Sequence, residues 1–360
     1  MVQSQTLATL LCSLGTGVYV YKHVFDAKLP TFKQKGPIKF KAPIAVRFNH
    51  FMVCHLTGRL GSGSFASVYA ATFPSIEDTE LMDHEVAMKK GIEFLPWEFY
   101  AIQTIHNRTK PSHWALFPRL HPFVIQVDQL HVYQNATFLC LERSYRGTLH
   151  DLVNTYAKHG KAVPENIAVF YTLQMLRSIH MVHSAHFLHG DIKPDNWVLL
   201  RGSGLATGAA AFETSELSLI DFGRSIDLRL YPKGTCFKGD CHAKGFQCVE
   251  MLTKRPWRHQ VDAFGVVATA HFLLFGDYIE LHTTSPSTWR IKRHWKRYWR
   301  SDLWTTLFDR VLNVPSCDAP PDLLALATML ERYYTEDASK IKELTQLLRA
   351  QDRMVPRSSL

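Results

Sequence analysis

The chain has 360 residues, enough for one large domain or two modest lobes around a well-buried core. A hydrophobic content of 46%, with 12% aromatic and 20% charged residues, excludes a disordered chain, which would be poorer in apolar side chains. Lys and Arg number 41 against 32 Asp and Glu, and the resulting charge of +9 suits acidic partners such as phosphates or nucleic acid without selecting one.

In chain order, the first apolar run is "LATLLCSLGTGVYVY" (7–21). It lacks a basic flank in front and contains Gly15, Thr16 and Gly17, so a packed helix followed by a strand is expected rather than a signal peptide. Residues 28–45 carry three prolines and five lysines and read as an extended strap. Strand-like runs follow at 51–73, 84–90 and 137–142. After Gly147 the pattern turns helical. Residues 165–183 place Ile167, Phe170, Leu173, Leu176, Ile179 and Val182 on one face of a helix, which is expected to be the buried face. Residues 201–216, small and polar, read as a surface loop. Residues 261–275 hold Asp262 and His271, fall short of the roughly 20 residues a bilayer requires, and read as a buried helix in a soluble protein. The tail has an amphipathic pattern in Ile341, Leu344, Leu347 and Leu348. No repeat is visible, which excludes solenoids and propellers. The expected layout is a small strand-rich lobe followed by a larger helical one.

The seven cysteines are odd in number and mostly far apart, the pattern of free thiols in a reducing compartment. Cys236, Cys241, His242 and Cys248 cluster, but without the tight pairs of a structural zinc site. The stretch "WRIKRHWKRYWR" (289–300) has six Lys or Arg and three Trp. It could bind nucleic acid. A surface helix with Trp295 and Trp299 packed inward at i, i+4 is the preferred reading, and docking to an acidic partner lies between the two.

Four motifs carry chemistry. In "GSGSFASVY", Gly61 and Gly63 would let backbone amides approach phosphate oxygens, although Ala66 replaces the third glycine of G-x-G-x-x-G. Val68 stands where a β-branched residue would cover an adenine. "VAMK" places Lys89 where it can pair with nucleotide phosphates, and Glu98, nine residues on in "PWEFY", can hold that lysine. "HGDIKPDN" (189–196) supplies Asp191 to accept a hydroxyl proton, Lys193 to neutralise a transferred phosphoryl group, and Asn196 to ligate magnesium. "DFG" (221–223) puts Asp221 beside the metal. Four motifs in this order resemble a protein kinase: an α+β, bilobal fold with a strand-rich N-lobe and a helical C-lobe.

Within that family "PWEFY", "HGDIKPDN", "PKGT" (232–235) and "GFQCVEM" (245–251) resemble the mitotic spindle-checkpoint kinases of the Bub (budding uninhibited by benzimidazole) group, over most of the chain. The resemblance implies an N-terminal extension (1–45) packed on the N-lobe, a kinase domain (46–350) and a tail (351–360). Within the domain the N-lobe would span about 46–142, the hinge about 143–147 and the C-lobe about 148–350. It implies ATP and magnesium as cofactors. The nucleotide would lie on Gly61, Ser62, Gly63, Ser64, Phe65, Ala66, Val68, Ala87, Lys89, Glu98 and Glu142. Asp191 and Lys193 would be catalytic, with Asn196 and Asp221 on the metal. Glu250 would take the anchoring role of the A-P-E glutamate. Further implications are serine/threonine transfer to a histone tail or kinetochore protein, checkpoint partners, and a nuclear, kinetochore location, with cytoplasm possible in interphase. Neither nucleic acid nor membrane is expected as a partner. Only the group's kinase module is recognisable, without the long N-terminal region of the relatives. Because the group also contains degenerate members, a scaffold pseudokinase is the alternative.

In H-R-D kinases an arginine receives an activation-loop phosphate. Gly190 stands in its place, and between Gly223 and Glu250 the hydroxyl residues are Ser225, Tyr231 and Thr235. A segment ordered by its own packing is expected, rather than one switched by phosphate.

Overall fold

The computed structural model describes residues 9–11, 17–22, 24–27, 29–30, 37–49, 52–63, 66–74, 84–91, 95–109, 123–200, 215–240, 245–285 and 288–355. Ser64, Phe65, Cys241, His242 and most of the expected 201–216 loop lie outside them. The chain divides into two compact units, one holding residues up to Asn107 with Ile125–Tyr145, the other Arg108–Val124 with Arg146–Arg357.

The first unit is built on a seven-stranded sheet. Its strands are β1 (Val18–Val20), β2 (Ile38–Arg47), β3 (Val53–Ser62), β4 (Ala66–Phe73), β5 (His84–Gly91), β6 (Val127–Val132) and β7 (Thr137–Glu142), in the order β1-β6-β7-β5-β4-β3-β2. Side chains alternate across a strand, so Val86 and Met88 of β5 face one side and Ala87 and Lys89 the other. The first side is a closed apolar cluster in which Val86, Met88, Tyr69, Phe138 and Cys140 meet Phe25, Phe48 and Tyr133. Each fully buried ring or thioether contributes on the order of 2 kcal/mol. Residues between β1 and β2 help to close this cluster. The Tyr21 amide bonds to Val132 O, and the Phe25 amide donates to Asn135 Oδ1 at 2.7 Å. Helix α1 (Leu95–Thr109) buries Leu95, Phe99, Ile102 and Ile105, and Gln103 Nε2 ties it to Val127 O.

The second unit is helical. It contains α2 (Leu149–Lys158), α3 (Glu165–Ser184), α4 (Val249–Leu252), α5 (Gln260–Phe275), α6 (Ser301–Leu312), α7 (Leu323–Thr335) and α8 (Ala338–Met354). Thr148 and Asp151 form a capping box that starts α2. Short strands pair as β8 (Phe187–Leu188) with β11 (Ile226–Asp227), β9 (Trp197–Leu199) with β10 (Leu217–Leu219), and β12 (Leu281–Ser285) with β13 (Thr288–Ile291). Helix α3 is buried nearly all round, not on one face as its spacing suggested, because α5, α7 and α8 surround it. Its polar residues find internal partners: Asn166 Nδ2 donates to Lys340 O, and Gln174 Oε1 accepts from the Glu216 and Leu217 amides. Helix α5 buries every residue from Gln260 to Leu274, as expected. Among the described residues no helix is long and apolar enough to cross a membrane.

Two expectations are corrected. The stretch 289–300 is not a surface helix. It opens on β13, paired with β12, and runs on as turns to the start of α6, although Trp299 is buried and Trp295 half-buried as anticipated. Not all cysteines are free thiols either. Cys236 and Cys317 form a disulfide across a sequence separation of 81, while Cys54, Cys140 and Cys248 are free and buried.

Candidate active site

In the first unit, strand register brings the expected nucleotide-contacting residues together. Val68 pairs with Lys89, Ala70 with Ala87 and Gly61 with Val68, so Val68, Lys89 and the glycine turn are neighbours on adjoining strands. The turn between β3 and β4 is tied by the Gly63 amide to Ala66 O at 2.8 Å and by Ser62 Oγ to Ser67 Oγ at 3.0 Å. A β-carbon added at Gly61 would meet no atom of the described residues within 4 Å, which gives a ligand room at the backbone there. Strand β5 lies between β4 and β7, which makes Lys89 a central residue of the sheet and not the end of an edge strand. Its Nζ donates to Glu98 Oε2 at 2.7 Å, with the Glu98 side chain 1% exposed. Glu98 sits in the first turn of α1, where the helix dipole favours a carboxylate. Glu142 closes β7 in register with Val86, and its amide bonds to Gln126 O.

In the second unit the loop after β8 carries the chemistry-bearing residues. Lys193 Nζ donates to Asp191 Oδ2 at 2.7 Å. Asn196 Nδ2 donates to Asp191 O at 2.7 Å, which leaves Oδ1 as an acceptor that no described residue uses. The loop is pinned from below by Asp262 in α5, whose carboxylate accepts from the amides of His189 and Gly190, both at 2.8 Å, and from His183 Nε2 at 2.9 Å. Burial works against charge on Asp262, but His183, His189 and the Gly190 amide outweigh it and hold the carboxyl below the usual range. His189 Nε2–H donates to Ile220 O while Nδ1 accepts the Asp191 amide, the neutral tautomer; burial correspondingly lowers its pKa. In the sequence Asp262 stands out only as an interruption of an apolar run, and an acid inside an otherwise apolar helix is the signal that points to it.

Asp221 takes the left-handed conformation (φ 66°, ψ 62°), which a short polar side chain tolerates. Phe222 after it is fully buried against His189, and Ser225 Oγ closes the turn on Phe222 O. The segment beyond is tied at several points. Thr235 Oγ1 donates to Pro232 O at 2.6 Å, Phe237 and Trp257 exchange backbone bonds, Trp257 Nε1 donates to Gly239 O, and Cys236 is bonded to Cys317. Glu250 is buried, which raises its pKa against the opposing pull of Cys248 and Arg255, and its Oε1 lies 3.7 Å from Arg255.

In the first unit, the glycine turn and a lysine fixed by a buried glutamate suit nucleotide phosphates. In the second, taken by itself, an amide oxygen and a carboxylate are the hard oxygen donors that magnesium prefers.

Residues 54–311 match the protein kinase domain family. The chain is 32% identical over 348 residues to the mouse mitotic checkpoint serine/threonine-protein kinase BUB1, covering 96% of this chain and 31% of that protein. It is 33% identical over 312 residues to the BUB1 kinase of Arabidopsis thaliana, covering 82% of this chain and 56% of the relative. The chain thus spans about a third to just over half of these relatives. The crystal structure of the BubR1 kinase domain superimposes with a TM-score of 0.77 at 27% identity, covering 96% of this chain and 98% of that one.

Proposed function

From the premise that this chain belongs to the protein kinase family and its sequence to the Bub group of checkpoint kinases, we propose that it transfers the γ-phosphate of ATP to serine or threonine hydroxyls of proteins. The observation that carries the proposal is the loop of Asp191, Lys193 and Asn196, seated on buried Asp262. Asp191 accepts the proton of the attacking hydroxyl. Lys193, in contact with Asp191 Oδ2, supplies positive charge where the transferred phosphoryl group becomes more negative. Lys89, oriented by Glu98, and the amides of the Gly61–Gly63 turn hold the nucleotide phosphates, with Val68 and Ala87 against the base and Glu142 marking the hinge. Asn196 and Asp221 would hold magnesium, which neutralises phosphate charge when bound.

The working context proposed is the mitotic spindle checkpoint, at the kinetochore in the nucleus, with a histone tail or kinetochore protein as substrate. The names of the Bub relatives, mitotic and spindle assembly checkpoint kinases, support the checkpoint role. The test uses Asp191→Asn. Phosphate incorporation into protein substrates is expected to fall by about a thousandfold or more, while ATP affinity stays within about twofold. Incorporation near wild type would overturn the role of Asp191, and a wild-type chain that binds partners without any ATP-dependent incorporation would favour a scaffold.

A further inference from the structure

The basic stretch 289–300 has no part in the chemistry above. It holds six Lys and Arg and no acid. Three of the six are matched by carboxylates: Lys292 by Glu280 at 3.1 Å, Arg293 by Asp277, and Arg300 by Asp302 at 2.8 Å. Arg290, Lys296 and Arg297 are exposed and have no carboxylate partner among the described residues. Beside Arg290 is a cavity of about 290 Å³, lined by Trp289, Ile291, Phe308 and Leu312 with Arg290, His294 and one acid, Asp309, which accepts from Asn313 Nδ2 at 2.9 Å. That volume is at the small end for a ligand site, suited to one anchoring side chain and not to a nucleotide.

We propose that this face docks an acidic linear peptide, one apolar side chain entering the cavity and flanking carboxylates meeting Arg290, Lys296 and Arg297. Unmatched guanidinium groups take carboxylates in forked, charge-assisted bonds, and an apolar anchor beside such a cluster gives the register that charge alone lacks. The aromatic residues decide against nucleic acid. Single strands need successive exposed rings for stacking. Here Trp299 is 6% exposed against Phe275, and Trp295 donates Nε1–H to Thr305 Oγ1 with its ring against Phe308. Tyr298, at 76% exposure, is a single platform.

The face is continuous with the end of the activation segment. Arg293 pairs with Asp277, and the adjacent Tyr278 packs edge-on against Phe246, with its Cβ 3.4 Å from where a β-carbon of Gly245 would lie. A substrate carrying such an acidic segment would therefore gain affinity without any change at the reacting atoms, lowering KM and leaving kcat alone.

The experiment is fluorescence anisotropy with a labelled twelve-residue peptide of Asp and Glu around one Phe, beside a twelve-nucleotide oligo-dT. Expected is saturable binding of the peptide, weakened about tenfold by Arg290→Glu with Arg297→Glu and by Phe→Ala in the peptide, and weakened less by Arg290→Lys, which keeps the charge but loses the fork. Both charge reversals lie on exposed side chains, and an unchanged melting temperature and unchanged turnover on a short neutral peptide show that the fold is intact. The proposal is overturned if the double variant binds as wild type or if no peptide binding is measurable. It is also overturned if the oligonucleotide binds as tightly and the Phe makes no difference, which would mark a general polyanion surface.

Discussion

Gly190 and Arg224 are in closest approach through the glycine's missing side chain: a β-carbon at Gly190 would lie 3.1 Å from the Arg224 carbonyl oxygen, and the Gly190 φ is +77°. The residue that replaces the usual arginine therefore meets two demands of the backbone. Gly190→Arg is expected to cost about 1–2 kcal/mol from the left-handed conformation alone, plus the displacement of Arg224. The melting temperature should fall, and the added guanidinium should confer no dependence on phosphate. Stability equal to wild type would show that the loop conformation does not require glycine.

Wild-type chain treated with phosphatase should keep its activity. Thr235 already donates its hydroxyl to Pro232 O, so it acts as a turn fastener in the unmodified state. Loss of most activity on treatment, restored by incubation with ATP, would show a phosphate switch.

Lys89→Met and Glu98→Ala are expected to lower kcat/KM by about a hundredfold or more. The pair is buried on the glutamate side, so Lys89→Met removes the ammonium facing a buried carboxylate and some loss of stability follows. Glu98→Gln keeps the shape and separates the effects: activity should fall while the melting temperature holds. Normal specific activity of the folded fraction in all three variants would make the pair structural.

Much of the site was legible because its residues are either close in sequence or locked by strand register. Asp191, Lys193 and Asn196 lie on one short loop, and Val68 and Lys89 are opposite each other on paired strands. What sequence spacing could not show depends on distant partners. Asp262 reaches the His189 amide across 73 residues, and the Cys236 bond spans 81. Trp295 and Trp299 have helical spacing, yet the hairpin of β12 and β13 and the packing of both rings on Phe275 hold that stretch out of a helix. In α3 the apolar spacing marks one buried face, yet Asn166, Thr172 and Gln174 are buried as well, each with an internal hydrogen bond.

Acid should destabilise the first unit through His131, which is fully buried, stacked on Phe48 and pushed down to about 4 by desolvation. The unfolded chain takes up the proton near the ordinary 6.5, the folded one near 4. This contribution is thus complete above pH 6.5 and lost as the pH falls to about 4, a change of about 3 kcal/mol. An NMR titration of the imidazole against a melting series checks it; a midpoint near 6.5 in the folded protein would refute the assignment.

Reduction of the Cys236–Cys317 bond frees a long loop, for which chain entropy gives a loss of about 4 kcal/mol. Dithiothreitol should lower the melting temperature and raise KM for protein substrates, since Cys236 tethers the activation segment, with ATP affinity unchanged. Peptide mapping without reductant should recover the two cysteines linked; finding both as free thiols in protein isolated without reductant would remove this tether.

The carboxylate of Asp262 also sets a clock. Its two amide partners, His189 and Gly190, immediately precede Asp191, the residue proposed as the base, and it projects from a helix with hardly any solvent-facing side. Those amide hydrogens, bonded to a carboxylate on a buried helix, are expected to exchange with water slowly. The loop of Asp191 is thereby expected to open more slowly than the mobile loops that carry function in many proteins, and the flexibility that the proposed transfer needs would come from other segments.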